Sequence, residues 1–238
     1  MPTPPEVLTA LNARDSAAPR ITCYDDEPGP TAGERVELSG RVLGTWVSKA
    51  GNALQEEWDV EPDDVVRLAL RPHWRLLYWA WAAWSVGAHV DLDGSRTAAL
   101  VVTDDVAHLS DDVPGVLVTR GALARSAGHS LPEGVMDEAA DLASFGDDFD
   151  PWQEPEDTSP ALTVDGTTTS YAEVVAEADA AVDPAPGARL QLVDPSAAEI
   201  LRAALAVWAR DGSLVVHLGA VDADALARRA ASEGVTAG

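Results

Sequence analysis

The chain has 238 residues, of which 46% are apolar, so it is long enough and apolar enough to form a hydrophobic core and is not a disordered protein. Its 40 acidic and 16 basic residues give a net charge of −24, and a field of that sign repels nucleic acid and anionic membranes. The basic residues are almost all arginine, which is typical of a high-GC genome. An acidic, lysine-poor surface is also typical of adaptation to a salty cytoplasm, and the sequence leaves both explanations open.

The cysteine content and the N-terminus predict a cytoplasmic protein. Cys23 is the single cysteine, which excludes a disulfide within the chain and a thiolate zinc cluster. Residues 1–6 have neither the basic nor the apolar region of a signal peptide. The most apolar stretch, residues 76–90, is too short to span a bilayer.

Hydrophobic periodicity predicts alternating helices and strands over the first 150 residues. Ser39 is expected to cap the helix after it, because its hydroxyl can accept a hydrogen bond from an amide one turn into the helix. A continuous apolar strand, a tryptophan-rich helix and a second strand then form a βαβ unit, which is expected to be parallel and right-handed. The predicted helices are 6–13, 40–58 and 74–85, with a helical turn or short helix at 123–127. The predicted strands are 20–24 and 34–38, which form a hairpin, and 65–70, 88–92, 97–103 and 116–119.

A stretch rich in Asp, Glu and Pro, residues 146–160, predicts a connector between two lobes. We therefore predict a first α/β lobe at residues 1–150, an acidic connector at 151–160 and a second α/β lobe at 161–238. The second lobe is predicted to contain strands 161–164, 190–193 and 214–218 and helices 171–181, 197–210 and 222–233. The predicted fold class is α/β, with parallel βαβ units in two lobes.

The order of these segments follows a family pattern. Residues 34–39 match a strand that leads into a "TY-x-EL" helix start, and residues 46–54 match an "A-N-x-LA" helix. Residues 60–66 stand for "V-x-PGD-x-V" and residues 70–74 for "LLPNS", while Ala203–Leu218 resembles "L-x-x-GG-x-VV". In this pattern the chain resembles the N-terminal half of adenylate-forming enzymes, the AMP-binding superfamily of acyl-CoA synthetases, nonribosomal peptide adenylation domains and luciferase. The resemblance implies a truncated version of their large N-terminal domain.

Within that superfamily the sequence resembles most a small actinobacterial family of short proteins with the same ending. That resemblance implies that the chain is a complete protein. It also implies that the family's adenine-binding, ribose-binding and catalytic-lysine motifs lie beyond the point that matches Gly238. No catalytic residue is therefore predicted.

The family's phosphate loop, rich in Ser, Thr and Gly and followed by Pro-Lys-Gly, would lie after strand 161–164. There the resemblance implies a residual nucleotide-binding segment at Gly166, Thr167 and Thr168, without the second glycine, the proline and the lysine. Asp165 opposes a polyphosphate, since two like charges about 5 Å apart cost about 3 kcal/mol at an effective dielectric constant near 20. The alternative interpretation is a β-turn, after which Thr169 or Ser170 caps a helix beginning at Tyr171.

Other polar residues give weaker signals. The five histidines have no metal-binding spacing, and no metal is predicted. His89 and His217 fall in apolar strands and are expected to be hydrogen-bonded there. The pairs Asp104-Asp105, Asp111-Asp112 and Asp147-Asp148 are expected to be solvated turns.

An aromatic cluster crowds the third predicted helix. Its members do not share one helical face, so the helix should be covered on more than one side. One interpretation is burial between the sheet and the second lobe, and the other is an interaction surface for a protein or an acyl ligand. The cluster consists of Trp74, Tyr78, Trp79, Trp81 and Trp84.

Three functional hypotheses follow. The first is a non-catalytic protein, a pseudoenzyme, that resembles adenylate-forming enzymes and binds a small molecule or a protein. The second is an ATP-dependent acyl-adenylate or CoA ligase that is weak or is completed by a separate partner. The third is a scaffold protein that docks through the tryptophan-rich helix. No cofactor is predicted under the first hypothesis, whereas ATP, AMP or CoA would bind under the second.

Overall fold

The computed structural model describes residues 2–238, and the bounds of its helices and strands are as follows. The α-helices are α1 (Pro4–Asp15), α2 (Gly40–Trp58), α3 (Trp74–Ser85), α4 (Glu138–Asp141), α5 (Val174–Val182), α6 (Ala197–Ala209) and α7 (Ala223–Glu233). The strands are β1 (Pro19–Asp25), β2 (Glu34–Ser39), β3 (Val65–Ala69), β4 (His89–Asp91), β5 (Leu100–Thr103), β6 (Gly115–Leu117), β7 (Val135–Asp137), β8 (Pro160–Val164), β9 (Thr167–Ser170), β10 (Arg189–Val193) and β11 (Ser213–Leu218). Two short 3₁₀ helices lie at Val106–His108 and Leu142–Ser144.

Local sequence signals account for most of the first elements. Strands β1 and β2 form the predicted antiparallel hairpin. The Ser39 hydroxyl accepts a hydrogen bond from the Val42 amide and caps α2 as predicted. The helix ends at Asp59, which takes a left-handed conformation with φ 48°. The predicted βαβ unit is confirmed, because β3 and β4 pair in parallel and α3 connects them.

The strands form two sheets. One has four strands in the order β10-β11-β1-β2, and the other has seven in the order β7-β6-β5-β3-β4-β8-β9. In the seven-stranded sheet every neighbouring pair is parallel except β8 and β9. Each sheet takes strands from both sides of the predicted connector, so the sheets do not separate along the sequence at residues 151–160.

Helix α3 lies between the two sheets, since it contacts β3 and β4 of one sheet and β1 of the other. Its whole aromatic cluster is buried, which corrects the interpretation of these side chains as an interaction surface. Trp81 packs against Trp208 of α6 at 4.5 Å between ring centroids, and its indole nitrogen donates to the Pro4 carbonyl. The buried aromatic residues are Trp74, Tyr78, Trp79, Trp81 and Trp84.

Two further predictions differ from the structure. Residues 123–127 form an irregular loop rather than a helix, because Leu123 is 92% exposed and no burial supports so short a helix. Strand β7 and helix α4 were not predicted, since their short segments carry no complete hydrophobic period. Within residues 2–238, no helix combines the length and the hydropathy that crossing a bilayer requires.

Candidate functional site

A cavity of about 540 Å³ lies at the carboxyl ends of β3, β5 and β6. Its lining includes Arg71 after β3, Asp104 and Asp105 after β5, and Arg120 after β6. An adjoining cavity of about 430 Å³ shares Arg71 and both aspartates. The chain passes from β3 to β4 on one side and returns to β5 on the other, so the strand order reverses between β3 and β5. Ligands of open α/β sheets bind at such a reversal, and we call this cavity the switch-point cavity.

Two arginines and three carboxylates form a charge network beside this cavity. Arg71 Nε donates to Asp104 Oδ2 at 2.8 Å, and Arg120 Nη1 donates to Glu27 Oε2 at 2.5 Å. Arg120 also lies 3.7 Å from Asp25 and 3.9 Å from Asp104, and Arg71 lies 3.8 Å from Glu27. The two guanidinium groups are therefore bridged by carboxylates on both sides.

A second, buried cluster holds the Arg120 loop in place. Arg75 of α3 donates from Nη1 to Glu138 Oε1 at 2.7 Å and from Nη2 to the Gly121 carbonyl at 3.1 Å. The Tyr78 hydroxyl donates to the same Glu138 oxygen. Burial raises the pKa of the Glu138 carboxyl, although the Arg75 charge acts in the opposite direction. Because Arg75 is hydrogen-bonded to the Gly121 carbonyl, next to Arg120, this cluster positions Arg120 at the cavity.

The start of α3 adds a neutral imidazole near the charge network. His73 caps the helix, since its Nδ1 accepts a hydrogen bond from the Arg75 amide. Burial, together with the charges of Arg75, Arg120 and Arg71, lowers the pKa of His73 well below the ordinary value for histidine. His73 therefore stays neutral at pH 7 and adds no positive charge to the site.

The segment predicted as a residual nucleotide site forms a tight hairpin. Strands β8 and β9 pair up to Val164 and Thr167, which leaves only Asp165 and Gly166 in the turn. Both have left-handed backbones, with φ 52° and 73°, as an Asp-Gly hairpin turn requires. The Asp93 carboxylate accepts a hydrogen bond from the Asp165 amide at 3.0 Å and from the Gly166 amide at 2.8 Å. The two turn amides thus already bind an anionic group of the same chain.

The neighbouring side chains are also engaged. The Thr168 hydroxyl bonds to the Thr163 hydroxyl at 2.7 Å and accepts from Arg96 at 3.1 Å. Gly166, Thr167 and Thr168 therefore lie together at the hairpin, and of the two threonines only Thr167 forms no side-chain hydrogen bond within the described part of the chain. The β-turn of the alternative interpretation is confirmed at Asp165 and Gly166. Its helix cap is wrong, because Thr169 and Ser170 lie in β9 and cap no helix.

Two expectations about charge also change. The Asp165 side chain is 80% exposed and lies 3.7 Å from Arg202, so its repulsion of an anion is weaker than the sequence-based figure of about 3 kcal/mol. The Asp104 side chain is only 5% exposed and is paired with Arg71, so the prediction of a solvated turn is wrong for this residue. The predictions for His89 and His217 are confirmed, since both are buried and hydrogen-bonded. Among the described residues no three His, Cys, Asp or Glu side chains come together as a metal site.

Neither the role of Asp93 nor the switch-point cavity was predicted from the sequence. Asp93 is 72 residues from Asp165 along the chain, and Glu27 is 93 residues from Arg120. A usable signal was the position of Arg71 and Asp104 directly after two apolar strands, because parallel strands bring their carboxyl ends to one edge of a sheet.

No model of a protein family matches the chain. A "TIGR03089 family protein" of Mycobacterium tuberculosis is 32% identical over 157 residues, which is 63% of each of the two chains. The match therefore spans less than two thirds of that relative.

Solved structures share the fold over almost the whole chain. An acyl-CoA synthetase from Brucella canis superposes with a TM-score of 0.73 at 16% identity, over 97% of this chain and 46% of that one. The N-terminal domain of FACL13 from Mycobacterium tuberculosis superposes with a TM-score of 0.70 at 15% identity, over 99% of this chain and 62% of that one. The predicted resemblance to the N-terminal half of adenylate-forming enzymes is confirmed at the level of the fold.

Proposed function

We propose that this chain binds a small molecule and does not form acyl adenylates. The observation that carries the proposal is the Asp93 carboxylate on the amides of Asp165 and Gly166. Phosphate loops bind polyphosphate through backbone amides that point at the anion. In this hairpin those donors are satisfied by Asp93, so ATP would have to displace a carboxylate of the chain before it could bind.

The shape of the hairpin supports the same conclusion. A two-residue turn offers two amides, whereas a polyphosphate needs a loop long enough to wrap around it. The chain's single lysine, Lys49, lies elsewhere and donates to the carbonyls of Ala143 and Phe145 at 3.0 and 2.5 Å. With a net charge of −24, the chain also repels a tetra-anion at long range.

The switch-point cavity supports small-molecule binding as the remaining activity. Its volume of about 540 Å³ falls within the range of ordinary ligand pockets, and its position at a strand-order reversal is the usual one for a ligand. Arg71 and Asp104 supply charged groups there, and neither takes part in the hairpin around Gly166.

Titration calorimetry with MgATP and with AMP tests the proposal. We expect no binding tighter than millimolar, together with no carboxylate-dependent exchange of pyrophosphate into ATP across a panel of carboxylic acids. Asp93→Ala provides the matched variant, because it frees the two turn amides without altering the hairpin backbone. A pyrophosphate-exchange signal from the unaltered chain would refute the proposal and favour a ligase.

A further inference from the structure

The switch-point cavity contains a carboxylate that occupies the position of an anionic ligand. Glu27 Oε2 lies 2.5 Å from Arg120 Nη1 and 3.8 Å from Arg71 Nη1, between the two guanidinium groups. Glu27 is on the turn-rich loop between β1 and β2, and its side chain is 31% exposed. Its contact with Arg71 is long and exposed and can be released at low cost, because exposed ion pairs are worth little. Its contact with Arg120 is short and mostly buried, so a ligand must supply an oxyanion that replaces it.

The arginines on either side are unequal. Arg120 is almost fully buried and is fixed by Asp25, Glu27 and the backbone contacts of Arg75. Arg71 is 54% exposed and has one close partner, Asp104 at 2.8 Å. Arg71 therefore keeps guanidinium donors that face the cavity, and a planar or tetrahedral oxyanion matches their geometry.

Part of the outer wall of the cavity is apolar, beside the exposed residues Asp105 and His129. Pro28, Pro30, Val106 and Ala124 line it, and Val106 is half exposed. Exposed apolar residues grouped around a charged floor are typical of a binding site rather than of an ordinary surface. A ligand with one anionic end and an apolar body would contact both regions.

The local charge defines how many negative charges the ligand carries. In the network, Asp25, Glu27 and Asp104 bring three negative charges to the two positive charges of Arg71 and Arg120, and Asp105 adds a further carboxylate to the cavity lining. A singly charged ligand that replaces Glu27 leaves unchanged the negative charge in direct contact with the two guanidinium groups. A doubly charged ligand adds a negative charge that no further arginine of the network compensates.

We infer that the switch-point cavity binds an organic monoanion whose oxyanion displaces Glu27 from Arg71 and Arg120. The inference rests on the proposed function and adds to it the place and the charge class of the ligand. Sulfonates, carboxylates and phosphodiesters share this chemistry. Glu27 then acts as an internal competitor, so that the cavity is open to ligand only in the fraction of molecules in which Glu27 has moved away.

Calorimetry at pH 8 with three probes of one body but different charge tests the inference. The probes are 3-phenylpropanesulfonate, with one negative charge, 3-phenylpropyl phosphate, with nearly two, and uncharged 3-phenylpropanol. We expect the sulfonate to bind best and the alcohol not to bind. 4-Phenylbutyrate, another monoanion, distinguishes a planar carboxylate from a tetrahedral oxyanion.

Two variants and two controls complete the test. Glu27→Gln should bind the sulfonate about tenfold more tightly, because it removes the competitor but keeps the loop. Arg71→Gln should bind it about tenfold more weakly, because it removes the open guanidinium donors. Glu154→Gln and Arg228→Gln make the same charge changes on exposed side chains outside the cavity and should leave the affinity unchanged.

Equal binding of the sulfonate and the alcohol, or an unchanged affinity in Glu27→Gln, would overturn the inference. Either result would leave the proposed function standing, because that proposal depends on ATP binding and pyrophosphate exchange. A pyrophosphate-exchange signal would refute the proposed function, whatever the probes bind. The two claims therefore fail on different measurements.

Discussion

Replacement of Glu138 by Ala should destabilise the protein far more than replacement of Glu37 by Ala. Both glutamates bind an arginine at the same distance, 2.7 Å for Arg75–Glu138 and 2.7 Å for Arg35–Glu37. The first pair is buried, whereas both side chains of the second are more than one third exposed. Loss of one partner of a buried pair costs about 3–5 kcal/mol, because the other charge is left uncompensated. Loss of an exposed pair costs about 0.2–1 kcal/mol.

Urea denaturation at pH 7 measures both costs as changes in the free energy of unfolding. A domain with about 5–15 kcal/mol of stability would lose a large share of it in Glu138→Ala and almost none in Glu37→Ala. The combined variant Arg75→Met, Tyr78→Phe, Glu138→Leu should recover part of the loss, since it removes both buried charges together, although the Arg120 and Gly121 carbonyls lose their Arg75 donors. Similar costs for the two alanine variants would refute the reasoning that burial decides the strength of these pairs.

Two further predictions concern helix α7 and the C-terminal end of helix α2. Helix α7 has no buried residue and is held by ion pairs. Its amide hydrogen exchange, corrected for intrinsic rates, should therefore become faster at high salt and at low pH. The exchange of the buried helix α6 should not change in this way. Hydrogen bonds from Arg229 lower the pKa of Asp26 below its ordinary value of 3.8. Burial acts to raise the pKa of Glu233, but hydrogen bonds from Tyr24, Arg189 and Arg35 outweigh it and lower that pKa below its ordinary value of 4.5. The two carboxylates therefore stabilise α7 at pH values above their ordinary pKa values, and this stabilisation is lost as the pH falls through their lowered pKa values. Unchanged amide exchange of α7 at pH 3 and in 1 M salt would contradict this prediction. Asp59→Val should cost about 1–2 kcal/mol in thermal or urea denaturation, because a β-branched residue opposes φ 48°, whereas Asp59→Gly should not destabilise the protein; equal stability of the two variants would contradict the strain argument.

The sequence predicted those parts of the fold that local signals determine. Helix α3 begins and ends at the predicted residues, Trp74 and Ser85, because Pro72 precedes it and Gly87, with φ 84°, follows it. The βαβ unit was predicted for the same reason, since its three elements are adjacent in sequence. The cap at Ser39 depends on an amide only three residues away.

Contacts between distant residues were not predictable in this way. Strand β1 pairs with β11, so Ile21 lies opposite Leu214, and no local pattern specifies that register. The candidate site has the same character, because Asp93 reaches Gly166 and Glu27 reaches Arg120 only after the sheets have formed. The resemblance pointed to Gly166, Thr167 and Thr168 at the hairpin. It did not predict that the Asp93 carboxylate binds the amides of the turn.

The amide resonances of Asp165 and Gly166 in solution NMR test the central claim most directly. In the unaltered chain these two signals should stay unmoved when MgATP is added to millimolar concentration, because the Asp93 carboxylate already binds both amides. Replacement of Asp93 by Ala should shift both signals in the absence of any nucleotide. A saturable shift of the Gly166 amide on addition of MgATP to the unaltered chain would contradict the account.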